Sequence, residues 1–252
     1  MDDAALLALA AELADRAGEA ILAIRAAGFE TLSKSDDSPV TEADRQAERI
    51  IARGLRGALP GALVVAEEEC SDGRLPSAAR EFWLVDPLDG TREFATGRPE
   101  FTVNIAFVRD GEPVLGVVLA PAFGEFFSGG RGLGAWKRTA AGRQAIRVRK
   151  APAEGLSVVT SRHSGRDPRV DAWVAQRRVA SHLQYGSSLK LCRLAEGDAD
   201  AYPRFGRTME WDTAAGQAVL EAAGGSVRSM HGERLGYGKP GWENPDFLAE
   251  GA

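Results

Sequence analysis

The chain has 252 residues, 44% of them hydrophobic and 27% charged, which excludes a disordered or collagen-like protein and leaves ample apolar surface for a core. Its 31 basic and 36 acidic residues give a net charge of −5, which argues against a nucleic-acid footprint spread over the surface but not against a small anionic substrate. Cys70 and Cys192 stand in no CxxC spacing, no apolar run approaches about 18 residues, and the N-terminus is acidic. These features predict a reduced cytoplasmic protein without a disulfide framework, thiolate zinc site, spanning helix or signal peptide.

Apolar residues at helical spacing predict a first helix over 4–26. The polar stretch 33–39 reads as a mobile loop. A second helix is expected over 41–58, with Ile50, Ile51 and Leu55 on one face, followed by a short strand at 63–66. Strands then follow at 82–85, 101–108, 113–119 and 125–128, punctuated by Gly111, Pro121 and the 129–134 glycine cluster. Composition breaks near 152, which predicts an N-terminal α+β domain, 1–152, and a C-terminal α/β domain, 153–252. In the second, strands at 157–160, 178–183, 199–203 and 225–228 alternate with helices at 167–176, 187–196 and 213–223.

The segment from Trp83 to Phe94 carries the most chemistry. An apolar strand is expected to end on Asp86, Pro87 fixes one φ, and Gly90 permits a tight turn, so that Asp86 and Asp89 converge. Two such carboxylates repel unless a cation joins them, and hard oxygen ligands favour magnesium, calcium or manganese over zinc. Gly90 and Thr91 then open a short helix whose free N–H groups suit an anion. Glu67-Glu68-Glu69 follows the strand at 63–66, and Asp212 stands where a helix N-cap is expected. Thr41-Glu42-Ala43-Asp44 resembles a capping box. No P-loop or GxSxG elbow is present, and Gly130–Ala135 fits GxGxxA without opening a helix. His163, His182 and His231 show no metal-binding pairing.

These motifs resemble the lithium-sensitive, magnesium-dependent phosphatase superfamily that contains the inositol monophosphatases. Asp86-Pro87-Leu88-Asp89-Gly90-Thr91 matches its first motif, Trp211 to Gly216 its second, and Glu67-Glu68 its Glu-Glu element. Within it, 33–41, 101–106, 186–190 and 202–206 are similar to stretches of bacterial 3'(2'),5'-bisphosphate nucleotidases. There are departures: Ala66 where serine is usual, Arg92 where lysine is usual, and Ser161-Arg162-His163-Ser164 in place of Ser-Arg-Ser-His, which puts a substrate role for His163 in doubt.

The resemblance implies an α+β fold, a layered α/β/α/β/α sandwich with the active site between its halves. It implies a magnesium-dependent phosphomonoesterase that removes the 3' (or 2') phosphate of adenosine 3'(2'),5'-bisphosphate by metal-activated water. Two or three magnesium ions would be held by Glu67, Asp86, Asp89 and Asp212 and by the Leu88 carbonyl. Asp44 and Thr91, with Glu67, would act on the attacking water, and Gly90 and Thr91 would hold the phosphate. Ser187, Ser188, Lys190 and Arg204 would contact the nucleotide, with Leu88, Asp89 and Asp212 also facing substrate. An inositol monophosphatase or other sugar-phosphate phosphatase is the alternative enzyme, and a non-catalytic metal-dependent binding module the alternative of another class.

Overall fold

The structure is a computed structural model that describes residues 1–33, 39–162 and 167–252. The polar loop expected at 33–39 falls largely, and His163 and Ser164 wholly, outside the described residues. In chain order the elements are α1 (Asp3–Ala27), β1 (Thr31–Ser33), β2 (Pro39–Thr41), α2 (Glu42–Ala58), β3 (Val64–Ala66) and α3 (Glu67–Ser71). There follow β4 (Glu81–Asp89), α4 (Thr91–Ala95), β5 (Thr102–Arg109), β6 (Glu112–Ala120), β7 (Glu125–Gly130), β8 (Gly134–Thr139) and β9 (Gly142–Ala145). Beyond these lie β10 (Leu156–Ser161), α5 (Pro168–Ala175), β11 (Val179–Tyr185), α6 (Leu189–Ala195), β12 (Ala201–Arg204) and β13 (Thr208–Met209). The chain closes with α7 (Glu210–Ala222), β14 (Ser226–Ser229), β15 (Glu243–Asn244) and β16 (Phe247–Glu250).

A seven-stranded sheet runs β3-β4-β5-β6-β7-β8-β9, antiparallel except for the parallel β3–β4 pair. A five-stranded sheet runs β11-β10-β12-β16-β14. Helices α1 and α2 cover one face of the larger sheet, α6 and α7 fill the space between the sheets, and α5 packs outside the smaller one. The five layers are those expected. The larger sheet uses residues up to 145 and the smaller one residues from 156 onward. One apolar cluster nevertheless joins them, from Val65 and Phe82 through Leu191 and Trp211 to Phe247.

Local chemistry explains the main elements. Leu6, Ala10, Leu13, Ala14, Ala17 and Ile21 form the buried stripe of α1, and Asp2 caps it by accepting from the Ala5 N–H at 2.8 Å. The buried stripe of α2 is Ala43, Asp44, Ala47, Glu48, Ile51, Ala52 and Leu55, with Ile50 only half-buried. Two acids therefore lie on an otherwise apolar face. Gly130–Ala135 forms the β7–β8 turn and opens no helix. Cys70 and Cys192 are buried and free. Among the described residues, no helix is long and apolar enough to cross a membrane.

Gly116 of β6 sets how closely α7 can approach the larger sheet. A Cβ there would stand 2.5 Å from the Ala215 carbonyl oxygen and 2.7 Å from its Cα. Gly116→Ala is therefore expected to cost about 1–3 kcal/mol by overpacking. Urea unfolding measures it; an unchanged midpoint would mean that α7 is not seated against β6.

Candidate active site

Strand β4 does not end on Asp86. It continues through Pro87 and Leu88 to Asp89. Asp86 pairs with Asn104 of β5 and Asp89 with Thr102, so Pro87 and Leu88 stand against the single residue Val103. This is a one-residue bulge, placed where Pro87 has no N–H to give the ladder. Strand side chains alternate faces, so positions three apart ordinarily point to opposite sides. The bulge resets that alternation and puts Asp86 and Asp89 on one face, beside Asn104.

Glu67 reaches the same place from β3. Ala66 is in parallel register with Val85, so the next residue lies beside Asp86. There the chain turns into α3, with Glu67 as its first residue. On the other side, Asp212 enters from α7. It is not the N-cap: α7 begins at Glu210, and Asp212 sits in its first turn and accepts the Met209 N–H on Oδ2 at 2.9 Å. Asp44 occupies the equivalent position in α2. Its Oδ2 accepts the Thr41 N–H and the Thr41 hydroxyl, each at 2.7 Å, which is the capping box the sequence suggested.

Thr91 links Asp44 to β4. Its hydroxyl lies 2.9 Å from Asp44 Oδ1 and 3.0 Å from the Leu88 carbonyl oxygen, and its one proton serves one of them at a time. Gly90 precedes it with φ +92°, and a Cβ there would stand 2.9 Å from the Glu100 carbonyl. Glycine is the residue that tolerates both conditions.

The second half of the chain closes the site. The Ser188 hydroxyl lies 2.8 Å from Asp89 Oδ2 and 2.7 Å from the Asp212 carbonyl, and accepts from the Asn104 amide at 2.8 Å. Ser188 thus ties β4 to α7, and it also lines the cavity between them. Lys190 is also buried: its ammonium donates to the Ser187 and Tyr185 carbonyls and lies 5.4 Å from the Tyr202 ring centre. Burial pulls its pKa down to about 8, and Asp89 opposes that shift. Ser187 adopts φ +50°, an uncommon backbone for a residue with a side chain. A cavity of about 150 Å³ opens here, lined by Asp89, Asp212, Ser187, Lys190, Tyr202 and Arg204 among others. The Arg204 Nε is buried without a partner, and its Nη2 donates to the Arg207 carbonyl at 3.1 Å.

The electrostatics are those of crowded acids. Burial, then repulsion from Glu67, Asp89 and Asp212, drives the Asp86 carboxyl well above its ordinary range. Burial raises Asp89 against the pull of Lys190 and Ser188. Asp212 is pushed up to about 8 by burial and by Asp89 and Glu67. Asp44 is raised by burial, opposed by its hydrogen bonds. Among the described residues, no three His, Cys, Asp or Glu side chains are already gathered closely enough to hold a metal ion. Yet these donors are all carboxylate or carbonyl oxygens, without thiolate or imidazole, and they repel one another in a buried place. That chemistry fits a small hard cation.

Sequence reasoning missed Glu48 and Asn104. The signal for Glu48 was present as an acid four residues after Asp44 in the apolar stripe of α2. Asn104 stood as a polar residue inside an apolar strand, in register with Asp86.

The fold and these motifs define a recognisable class. A sequence model described as the inositol monophosphatase family matches residues 2–250, and the chain belongs to that family. The 3'(2'),5'-bisphosphate nucleotidase CysQ of Escherichia coli O157:H7 is 42% identical over 239 residues, covering 94% of this chain and 96% of its own. The crystal structure of CysQ from Bacteroides thetaiotaomicron superposes with a TM-score of 0.81 at 34% identity, covering 98% of this chain and 97% of that one. An inositol monophosphatase from Anabaena (Nostoc) sp. PCC 7120 superposes with a TM-score of 0.78 at 28% identity, covering 98% and 90%.

Proposed function

We propose that the chain is a magnesium-dependent 3'(2'),5'-bisphosphate nucleotidase, which hydrolyses adenosine 3',5'-bisphosphate to AMP and phosphate. The observation that carries the chemistry is the convergence of Glu67, Asp86, Asp89 and Asp212 beside the Asp44–Thr91 pair. The likeness to CysQ proteins over nearly the whole chain favours the nucleotide over other phosphomonoesters. Glu67, Asp86, Asp89, Asp212 and the Leu88 carbonyl would hold magnesium, which supplies charge neutralisation and Lewis acidity when bound.

The chain's own groups do the rest. Asp44 is buried with a raised pKa, which suits it to receive a proton. When Thr91 donates to Asp44 Oδ1, its lone pairs are free to accept a hydrogen bond from water. A proton lost by the attacking water can therefore pass to Thr91 as the Thr91 proton passes to Asp44. The Gly90 and Thr91 N–H groups at the start of α4 offer donors to the phosphate oxygens. Water attacks phosphorus, the bond to the ribose 3' oxygen breaks with its electron pair going to that oxygen, a proton from solvent water completes the leaving hydroxyl, and Asp44 returns its proton to solvent.

The test is phosphate release from adenosine 3',5'-bisphosphate, inositol 1-phosphate and fructose 1,6-bisphosphate. The bisphosphate nucleotide should have the highest kcat/KM; preference for inositol 1-phosphate would sink the substrate assignment and keep the phosphatase. Arg204 sharpens the comparison, since its donors are not all used. Arg204→Ala is expected to raise KM for the nucleotide about tenfold or more, the loss of a charge-assisted contact. KM for inositol 1-phosphate, which lacks a second phosphate, should change little. Equal effects on both would remove Arg204 from nucleotide recognition.

A further inference from the structure

We propose that Glu48 is a positioning residue for this reaction: its carboxylate, from α2, caps α3 from outside and thereby aims Glu67 at the acid cluster. Like the proposed function, on which it rests, this takes Glu67 as a working ligand.

A short helix that begins at Glu67 needs partners for its first N–H groups. Its own N-cap residue is Ala66, which has no side-chain oxygen to offer and makes no capping hydrogen bond. Glu48 supplies both contacts. Its Oε2 accepts the Glu68 N–H at 2.7 Å, and its Oε1 accepts the Glu69 N–H at 3.0 Å. Both oxygens of one carboxylate are thus spent on two successive backbone groups. The residue is 6% exposed, so water does not replace those contacts cheaply.

Direction follows from this geometry. Ala66 is held on β4 by its register with Val85, and Glu48 fixes the backbone at Glu68 and Glu69. Glu67 lies between these two anchors. Without the second, the turn from β3 into α3 can relax, and the acids crowded beside Glu67 favour its moving away. The sequence around it makes the anchor more notable: Glu67, Glu68 and Glu69 are consecutive, and a fourth carboxylate is brought against them. Arg56 offsets part of this charge by clasping Glu69 with two bonds, at 2.8 and 2.7 Å. It touches neither capping contact, so it separates a loosened α3 from a lost cap.

The experiment measures Mn²⁺ binding to the full chain by electron paramagnetic resonance, together with kcat, KM and thermal melting, for wild type, Glu48→Ala, Glu48→Gln and Arg56→Ala. Glu48→Ala is expected to weaken Mn²⁺ binding about tenfold or more and to lower kcat with KM little changed. Glu48→Gln keeps one acceptor oxygen and is expected to recover part of both. Arg56→Ala is expected to stay within about twofold of wild type in binding and kcat, even if its melting temperature falls. Should Glu48→Ala fail to fold, the Gln variant carries the comparison. Wild-type Mn²⁺ affinity in the folded Glu48 variants, or an equal loss in Arg56→Ala, overturns the positioning role alone. A wild-type chain that binds no Mn²⁺ overturns the metal reading and this inference with it.

Discussion

Asp89→Asn is expected to lower kcat by about 10²-fold or more while the fold survives, because it removes a charge the reaction uses and changes little else in shape. Asp89 stands on the bulged end of β4, within the acid cluster and against the cavity. Its Oδ2 meets the Ser188 hydroxyl at 2.8 Å, a contact the asparagine carbonyl oxygen can keep. The stability effects oppose each other. The substitution relieves repulsion from Glu67 and the neighbouring acids, and it deprives buried Lys190 of the charge that attracts it. The unfolding midpoint should therefore stay near wild type. Steady-state phosphate release at ordinary magnesium, with thermal melting on the same preparation, decides the matter. Turnover near wild type would remove Asp89 from the chemistry.

The second large effect is on stability and needs no substrate. In chelator, the protein is expected to lose stability as pH rises from about 4 toward about 8. Native Asp212 keeps its proton up to about 8, whereas the unfolded chain releases it near 3.8; Asp86 and Asp89 are shifted the same way. Between those values the native state binds more protons, so its advantage shrinks with increasing pH. Each such proton is worth about 1.4 kcal/mol per pH unit, less any relaxation of the site. Lys190 has a lowered pKa of about 8, and its opposite contribution falls above that window. Magnesium should raise the melting temperature, and by more at pH 8 than at pH 5, because protons and cation compete for the same oxygens. A chelated protein with a flat profile, or a magnesium increment that does not grow with pH, would contradict the account of this cluster.

How much of this was legible beforehand differs residue by residue. Asp86, Asp89, Gly90 and Thr91 are contiguous, so their chemistry shows in a short window, and the Thr41–Asp44 capping box is equally local. The five-layer architecture was implied by the family resemblance that the motifs carry, whereas helical spacing by itself showed α1 and α2. The bulge did not show, because it is a property of two strands together: only the partner register reveals that Val103 faces both Pro87 and Leu88. Strand β9 was invisible because all four of its residues are exposed and carry no alternation. Strand β16 lies between β12 and β14, a place set by packing among distant segments. The role of Glu48 does not show in the sequence because a polar residue there reads as facing water or ligand, and this one faces buried backbone.

The three aspartates among the candidate ligands share a trait that bears on which cation could settle among them. Each already has one carboxylate oxygen against a protein donor: Asp86 against the Leu88 N–H at 3.1 Å, Asp89 against the Ser188 hydroxyl at 2.8 Å, Asp212 against the Met209 N–H at 2.9 Å. A carboxylate bound in this way can chelate with both oxygens only by surrendering a hydrogen bond, so the set favours single-point ligation. Calcium gathers six to eight oxygens and commonly takes carboxylates in two-point fashion, whereas magnesium asks for six in a tight octahedron and keeps waters of its own. Low denticity would thus follow from the capping contact of α7 and the turn at the end of β4, and a preference for magnesium over calcium would be a by-product of how the secondary structure is terminated.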